Sequence, residues 1–204
     1  MEHVCLDLEG VLIPEIWAEV AKYTGEEQFK LTTQDLKDYS ELMDMRIDLV
    51  QSIGLSFLEI QSLVDKMEPF DGAKEFIDWV RDNFQLTIVS DSFYELAWPL
   101  LRKLGTPSIN CHYLDIENNE LKGYTLRQLE NKKKVVQGLK NMKFKVFASG
   151  DSYNDIQMLQ EADLGVFFRA PKHIREEYKE IEGVESHQDL KNLLIENSSF
   201  IGRT

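Results

Sequence analysis

The feature that most constrains the fold is an alternation of short apolar runs and amphipathic segments that begins after Pro69 and continues almost to the end of the 204-residue chain. Runs such as 85–90 (QLTIVS) and 144–148 (FKVFA) have the length and composition of buried strands, and the segments between the runs have helical periodicity. Strands that alternate with helices form a parallel sheet with helices on both faces. The sequence therefore predicts an α/β fold.

A different pattern separates the first predicted strand, 4–6, from this alternation. The segment from Pro14 to Glu68 contains no convincing strand, and helices are predicted at its start, over 36–52 and over 56–67. We therefore predict a small helical cap, 14–68, inserted into a core domain formed by 1–13 and 69–204. The remaining predicted strands are 85–90, 108–114, 121–126, 144–148 and 164–168, and the remaining helices are 73–83, 93–104, 132–142, 154–161 and 188–195.

Composition limits the partners and the compartment. The chain has 36 acidic and 23 basic residues, a formal charge of −13, which argues against nucleic acid as a partner. No apolar stretch approaches the 18 residues of a membrane span, and the N-terminus lacks the basic residues of a signal peptide. Cys5 and Cys111 are too few for a disulfide framework and are expected to be buried free thiols. We expect a cytoplasmic protein without membrane contact.

Acidic residues follow two of the predicted strands. Asp7 and Glu9 come after the first strand, and Asp151 and Asp155 lie in a turn after 144–148. Sites in parallel sheets form outside the carboxyl ends of the strands, where four carboxylates would need a cation. Oxygen ligands without a histidine or cysteine cluster favour Mg²⁺ over zinc, and such a metal most often serves phosphate chemistry. Ser90, at a third strand end, can hydrogen-bond phosphate oxygens.

Each of these residues also has a structural explanation, because an aspartate or serine before a helix is usually an N-cap. Their joint placement at several strand ends favours a site. Together, Asp7-Leu8-Glu9-Gly10-Val11, Ser90, a lysine near 132 and the run from Gly150 to Asp155 resemble the four-motif series of the haloacid dehalogenase superfamily, phosphatase branch. The order and spacing match over nearly the whole chain.

Within that superfamily the chain is most similar to the phosphoserine phosphatases. It is especially similar to their bifunctional phosphoserine phosphatase/homoserine phosphotransferase members, which also have glutamate in the first motif and a Ser-Asp pair in the second. The resemblance implies a Rossmann-like core with a helical cap. It also implies Mg²⁺-dependent hydrolysis of O-phosphoserine, a small-molecule substrate, with homoserine as an alternative phosphoryl acceptor.

The resemblance implies specific roles. Asp7 would be the nucleophile, and Glu9 would be the general acid and then the general base. Mg²⁺ would be held by the Asp7 side chain, the Glu9 backbone carbonyl and Asp151, with Asp155 as a direct or indirect support. Most of the superfamily has aspartate where this chain has Glu9, so the extra methylene moves the carboxyl of the acid/base.

Other roles concern the substrate. Ser90 would hydrogen-bond the phosphoryl group, and Lys132 would neutralise its charge, with the register among Lys132, Lys133 and Lys134 left open. Asp91 and Asn154 would contribute to the same substrate site.

Two cap residues would read the amino-acid part of the substrate. The resemblance matches Arg46 to the cap arginine that binds the carboxylate and Glu15 to the acid that binds the ammonium group. The structural alternatives are an arginine at the rim of an apolar helix face and an acid favoured by the helix dipole.

Two other functions fit part of the pattern. A signalling module can accept phosphate on an aspartate, but such receivers are shorter and lack a cap. The same chemistry could also serve a sugar or nucleotide phosphate, a choice that depends on Glu15 and Arg46. The sequence leaves open the preferred acceptor and the oligomeric state, with a homodimer as one alternative.

Overall fold

The computed structural model describes residues 1–33, 35–36 and 38–201. In this part of the chain seven strands form one sheet in the order β4-β3-β2-β1-β5-β6-β7, and every pairing is parallel except that of β3 with β4. The strands are β1 (Glu2–Leu6), β2 (Gln85–Phe93), β3 (Ile109–Glu117), β4 (Glu120–Thr125), β5 (Lys145–Gly150), β6 (Leu164–Phe168) and β7 (Glu182–Val184).

The helices alternate with the strands after β2 and fill the segment between β1 and β2. They are α1 (Ile16–Thr24), α2 (Tyr39–Ser52), α3 (Phe57–Lys66), α4 (Ala73–Asn83), α5 (Tyr94–Lys103), α6 (Asn131–Asn141), α7 (Ile156–Glu161), α8 (Lys172–Glu177) and α9 (His187–Asn197), with short 3₁₀ turns at Glu27–Lys30 and Tyr153–Asp155. The predicted α/β class with a helical insertion after the first strand is confirmed.

Helices cover both faces of the sheet, and side chains of β1 alternate between the two apolar layers. Val4 and Leu6 belong to the larger layer, which α4, α5 and α9 complete and which continues into the helices between β1 and β2. Cys5 points into the smaller layer, which contains residues of α6, α7 and α8. Cys5 and Cys111 are buried free thiols, as expected.

The central strand places the site. Leu6 at the end of β1 pairs with Ile88 of β2 on one side and with Ser149 of β5 on the other. The chain therefore builds the sheet outward on both sides of β1, and such a switch point opens a crevice beyond the strand ends. Asp7 follows Leu6 directly and enters that crevice.

The helices between β1 and β2 are attached to the β3–β4 hairpin. Phe57 and Leu58, the first residues of α3, donate backbone N–H bonds to the carbonyl oxygen and the side-chain Oδ1 of Asn119, at 2.9 and 2.8 Å. Gln51 of α2 donates to the carbonyl of Leu121 at 2.9 Å. The hairpin turn thus satisfies orphan N–H groups at the start of α3, a task usually done by residues of the helix itself.

Several predicted boundaries were wrong by a few residues. The second helix begins at Tyr39 rather than 36, because the Asp38 side chain accepts N–H bonds from Ser40 and Glu41 and acts as the N-cap. The strand predicted at 85–90 continues to Phe93. The short elements α8 and β7 were not predicted, since the sequence around them contains no long apolar run.

Among the described residues, no single helix has both the length and the hydropathy needed to cross a membrane. Helices α2 and α3 meet those criteria only as a pair, and they are bent by 108° at their junction.

We expect Asn119→Ala to destabilise the protein by about 1 kcal/mol more than Asn118→Ala. Both asparagines have positive φ (+66° and +49°), so alanine meets similar backbone strain at either position, but only Asn119 bonds to α3. Urea unfolding of the two variants measures the difference. Asn119→Asp keeps the acceptor and should have nearly the stability of the wild type. Equal unfolding midpoints for the two alanine variants would contradict the capping role.

Candidate active site

A buried lysine joins carboxylates from separate strand ends. The Lys132 ammonium donates to Asp7 Oδ2 at 2.8 Å and to Asp155 Oδ1 at 2.7 Å, and it lies 3.9 Å from Asp91 Oδ2. Lys132 is 3% exposed and Asp155 is fully buried. Burial acts to lower the pKa of Lys132, but the three carboxylates outweigh it and hold that pKa well above its usual value. The ammonium is therefore a permanent charge.

The carboxylates outnumber this cation. Burial raises the pKa of Asp7 well above its usual range, and the neighbouring Asp155 adds to the effect. Burial and Asp155 also raise the pKa of Asp151, to about 7. One carboxylate oxygen from each of these three residues lies within 4.8 Å of the others. A divalent cation would relieve their repulsion, and the oxygen-only donor set fits a hard cation.

Asp155 uses both of its carboxylate oxygens to hold other parts of the site. Its Oδ1 accepts from Lys132, and its Oδ2 accepts backbone N–H bonds from Asp151 and Ser152 at 3.0 and 3.1 Å. These bonds shape the turn after β5 that carries Asp151. Asp155 therefore organises the cluster in addition to contributing charge.

Two glycines make room for the carboxylates. A Cβ on Gly10, whose φ is +76°, would lie 2.3 Å from Asp151 Cγ. A Cβ on Gly150 would lie 2.2 Å from Asp155 Cγ. Side chains at either position would displace a carboxylate, which explains the glycines beside both acidic motifs.

The end of β2 supplies polar groups on the other side of Asp7. Ser90 is buried, and its Oγ accepts the Ser92 N–H at 3.1 Å. Asp91 accepts from the Asn154 amide at 3.0 Å and has His112 Nε2 at 3.6 Å. Burial acts to raise the pKa of Asp91, but Lys132 and these partners outweigh it and hold that pKa below its usual value.

The carboxyl group of Glu9 is bonded to the helical insertion. Glu9 Oε2 accepts the backbone N–H of Ile16, the first residue of α1, at 2.8 Å. Glu15 lines the same cavity. Its side chain is exposed to the solvent in that cavity, but protein atoms around it reduce its contact with bulk water. This withdrawal from bulk water, together with the carboxylate of Glu9, raises the pKa of Glu15 to about 9.

Arg46 reaches the cavity from α2. It is 9% exposed, its guanidinium lies 5.0 Å from the Trp17 ring centre, and one Nη donates to the Leu31 carbonyl at 2.7 Å. Its Nε has no hydrogen-bond partner among the described residues. Burial lowers the pKa of Arg46, against the opposing effect of Glu9.

These residues surround one cavity of about 620 Å³. Nine of the ten residues singled out from the sequence line it, and the tenth, Asp155, lies buried behind them; the nine are Asp7, Glu9, Glu15, Arg46, Ser90, Asp91, Lys132, Asp151 and Asn154. The structure also settles which of the three lysines enters the cluster, because Lys132 contacts Asp7 and Lys133 lies 3.8 Å from Glu130.

Tyr39, His112 and Asn131 are polar residues at this cavity that were not predicted from the sequence. Tyr39 donates its hydroxyl to the Asp91 carbonyl at 2.7 Å, His112 faces the Asp91 side chain, and Asn131 precedes Lys132. Asn131 stands next to a predicted site residue, a signal that could have identified it. Tyr39 and His112 gave no comparable signal, since their approach to Asp91 depends on how the cap and β3 are placed.

The carboxylate cluster, the buried lysine and the polar strand ends define an enzyme site at the switch point of an α/β sheet. The haloacid dehalogenase-like hydrolase family model matches residues 1–163, and the chain belongs to this family.

Two bacterial relatives match nearly the whole chain. The chain is 44% identical over 200 residues to phosphoserine phosphatase ThrH of Pseudomonas aeruginosa, a match that covers 98% of both proteins. It is 42% identical over 200 residues to a phosphoserine phosphatase of Pseudomonas syringae pv. tomato, covering 98% of this chain and 84% of that protein.

Solved structures share the fold. A substrate-bound phosphoserine phosphatase complex superposes with a TM-score of 0.78 at 21% identity, covering 95% of this chain and 96% of the other. A phospho-aspartyl intermediate analogue of phosphoserine phosphatase gives 0.77 at 22% identity, covering 95% and 97%. The arrangement of core and helical insertion is therefore common to these proteins.

We expect Gly150→Ala to destabilise the protein by about 1–3 kcal/mol and to weaken any binding of a divalent cation at the cluster, because its Cβ displaces the Asp155 carboxylate. Gly138→Ala in α6 is the matched control. Its Cβ meets nothing within 4 Å, so it should stabilise the helix by about 0.5–1 kcal/mol. Urea unfolding and titration calorimetry with Mg²⁺ measure both effects, and unchanged Mg²⁺ affinity in Gly150→Ala would contradict this packing argument.

Proposed function

We propose that this protein is a Mg²⁺-dependent phosphatase that hydrolyses O-phosphoserine through an aspartyl phosphate on Asp7. The single observation that carries the proposal is that Asp7 contacts the Lys132 ammonium, lies within 4.8 Å of an Asp151 carboxylate oxygen and lines the same cavity as Arg46 and Glu15. The identity to two phosphoserine phosphatases over nearly the whole chain supports the choice of substrate.

In the first step, an Asp7 carboxylate oxygen forms a bond to phosphorus while the bond from phosphorus to the serine oxygen breaks. Glu9 donates a proton to the departing oxygen. In the second step, Glu9 takes a proton from water, the water oxygen bonds to phosphorus, and Asp7 is released with orthophosphate. The bond from the Ile16 N–H to Glu9 Oε2 supports this role because it fixes the position of the carboxyl group.

Lys132 and Ser90 would bind the phosphoryl group. The fixed charge of Lys132 offsets the charge that the phosphate brings to the carboxylate cluster. Ser90 offers its hydroxyl, and Asn154 and Asp91 form a hydrogen-bonded pair at the edge of the same pocket. Lys132 and Ser90 would be held in place before the substrate arrives, which limits the reorganisation needed during phosphoryl transfer.

Asp7, Asp151 and the Glu9 backbone carbonyl would hold Mg²⁺. Asp155 would support them, because its Oδ2 accepts the backbone N–H bonds that shape the turn carrying Asp151. When bound, the metal supplies positive charge that ionises the cluster and offsets the charge of the phosphoryl oxygens. The spacing of the three carboxylates supports this assignment.

Arg46 would bind the substrate carboxylate through its guanidinium, and Glu15 would bind the ammonium group, since both residues line the cavity. An ammonium group beside Glu15 would favour the ionised carboxylate, which opposes the raised pKa of that group. Arg46 and Glu15 together would recognise an amino acid, and a sugar or nucleotide phosphate would contact neither charge in this way.

We extend the proposal to homoserine, whose hydroxyl would replace water as the acceptor in the second step.

We also propose that 14–68 is a cap domain on a core formed by 1–13 and 69–204. The bond from the Phe70 N–H to the Leu12 carbonyl, 2.9 Å, brings the two connections together and supports this division. A cytoplasmic location remains part of the proposal.

We expect Asp7→Asn to lower kcat for phosphoserine by at least about a thousandfold, since the amide is a poor nucleophile. Asp48→Asn, an exposed change in the cap with the same chemistry, should retain full activity. Phosphate release is measured with Mg²⁺, with EDTA, and with Mg²⁺ plus homoserine, and EDTA should abolish it. Turnover by Asp7→Asn would exclude the covalent route, and phosphohomoserine formation decides the transfer activity.

We expect Arg46→Ala to raise KM for phosphoserine by about 10- to 100-fold and to leave KM for p-nitrophenyl phosphate, which has no carboxylate, nearly unchanged. Lys30→Ala removes a cap charge of the same sign at an exposed site and is the matched control. Steady-state kinetics on both substrates provide the comparison. An equal loss on both substrates would argue against carboxylate binding and would favour a different phosphate ester.

A further inference from the structure

The start of α6 requires an explanation, because Lys132 must stand in a fixed place and the local sequence does not favour a helix start there. Glu130 precedes the helix with φ +51° and provides no side-chain cap. Three successive lysines then occupy the first turn, where the helix dipole disfavours positive charge. Interactions outside the helix must therefore hold its first turn.

Asn131, the first residue of α6, makes such interactions. It is 3% exposed, and its Nδ2 donates to the carbonyls of Ser90 and Asn110 at 3.2 and 3.3 Å. Its Oδ1 accepts from Gln128 Nε2 at 3.1 Å. One side chain thus bonds to two neighbouring strands and to the loop before the helix.

The two carbonyls lie where the sheet is irregular. The pairing of β2 with β3 changes register between Val89 and Phe93, next to Ser90. Backbone groups at such an irregularity lose regular ladder partners, and a buried carbonyl without a partner is unfavourable. The Asn131 side-chain amide donates hydrogen bonds to these two carbonyls, as the backbone N–H groups of a neighbouring strand would in a regular sheet.

We propose that Asn131 is a positioning residue for phosphoryl transfer, because its buried amide joins the helix that carries Lys132 to the strand that carries Ser90. The inference rests on the proposed function, in which these two residues bind the phosphoryl group. Asn131 fixes the separation between them and does not itself touch the substrate.

The test compares Asn131→Ala and Asn131→Asp with the wild type. Alanine removes all three bonds, and aspartate keeps the shape but loses both donors to the carbonyls. We expect kcat/KM for phosphoserine to fall about 10- to 100-fold, the loss that a shift of about 1 Å at a reacting group produces. Affinity for orthophosphate should fall about tenfold, while affinity for Mg²⁺ alone should stay within about twofold.

Val136→Ala is the control for stability. Val136 lies on the same helix, is fully buried in the smaller apolar layer and does not line the cavity. We expect it to lower the urea midpoint while leaving kcat/KM and orthophosphate affinity near wild type. If the Asn131 variants behave like Val136→Ala, the positioning role is refuted.

Gln128→Ala keeps the test decisive should the Asn131 variants not fold. It removes the bond that orients the Asn131 amide, together with a side chain that lines the cavity, and a fall of about two- to fivefold in orthophosphate affinity is expected. An unchanged affinity would count against the inference. Wild-type protein that binds orthophosphate but does not hydrolyse phosphoserine would overturn the proposed function alone, and the orthophosphate titrations would still decide the role of Asn131.

Discussion

The rest of the site depends on one buried ammonium group. Lys132 contacts carboxylates that follow β1 and β5 and lies near a third in β2, so a single charge links the ends of three strands. A buried ion pair contributes little net stability, but removing one partner is strongly destabilising. The charge that remains is then buried without water or a partner to compensate it. The order of the sheet, the start of α6 and the geometry around Asp7 are therefore linked through this lysine.

The same charge is insufficient by itself. Asp7, Asp151 and Asp155 lie together, and burial, reinforced by the charge of Asp155, raises the pKa values of Asp7 and Asp151, so ionising all three carboxyl groups is unfavourable. The absence of side chains at Gly10 and Gly150 leaves the space in which these carboxylates lie close together. A cation bound at this cluster would offset part of the cost of ionising these carboxyl groups.

Much of this arrangement could be predicted from sequence. Apolar runs and helical spacing identified the α/β class and most elements, since these patterns reflect burial of individual segments. Motif residues such as Asp7 and Asp151 could be chosen because each directly follows a strand. The sequence could not place Asn131 on Ser90 and Asn110, nor Asn119 on α3, because those contacts join elements that are distant in the chain. The elements α8 and β7 were missed for lack of a periodic pattern long enough to detect.

The bond between Glu9 and the first residue of α1 has a consequence for protein engineering. Caps are attractive parts to exchange between related enzymes when a new specificity is wanted. In this chain the backbone of the cap helix orients the carboxyl group that we propose transfers the proton. A chimera that joins a foreign cap at this connection would inherit a new binding surface together with a misdirected acid, unless the stretch from Glu9 to Ile16 were transplanted intact.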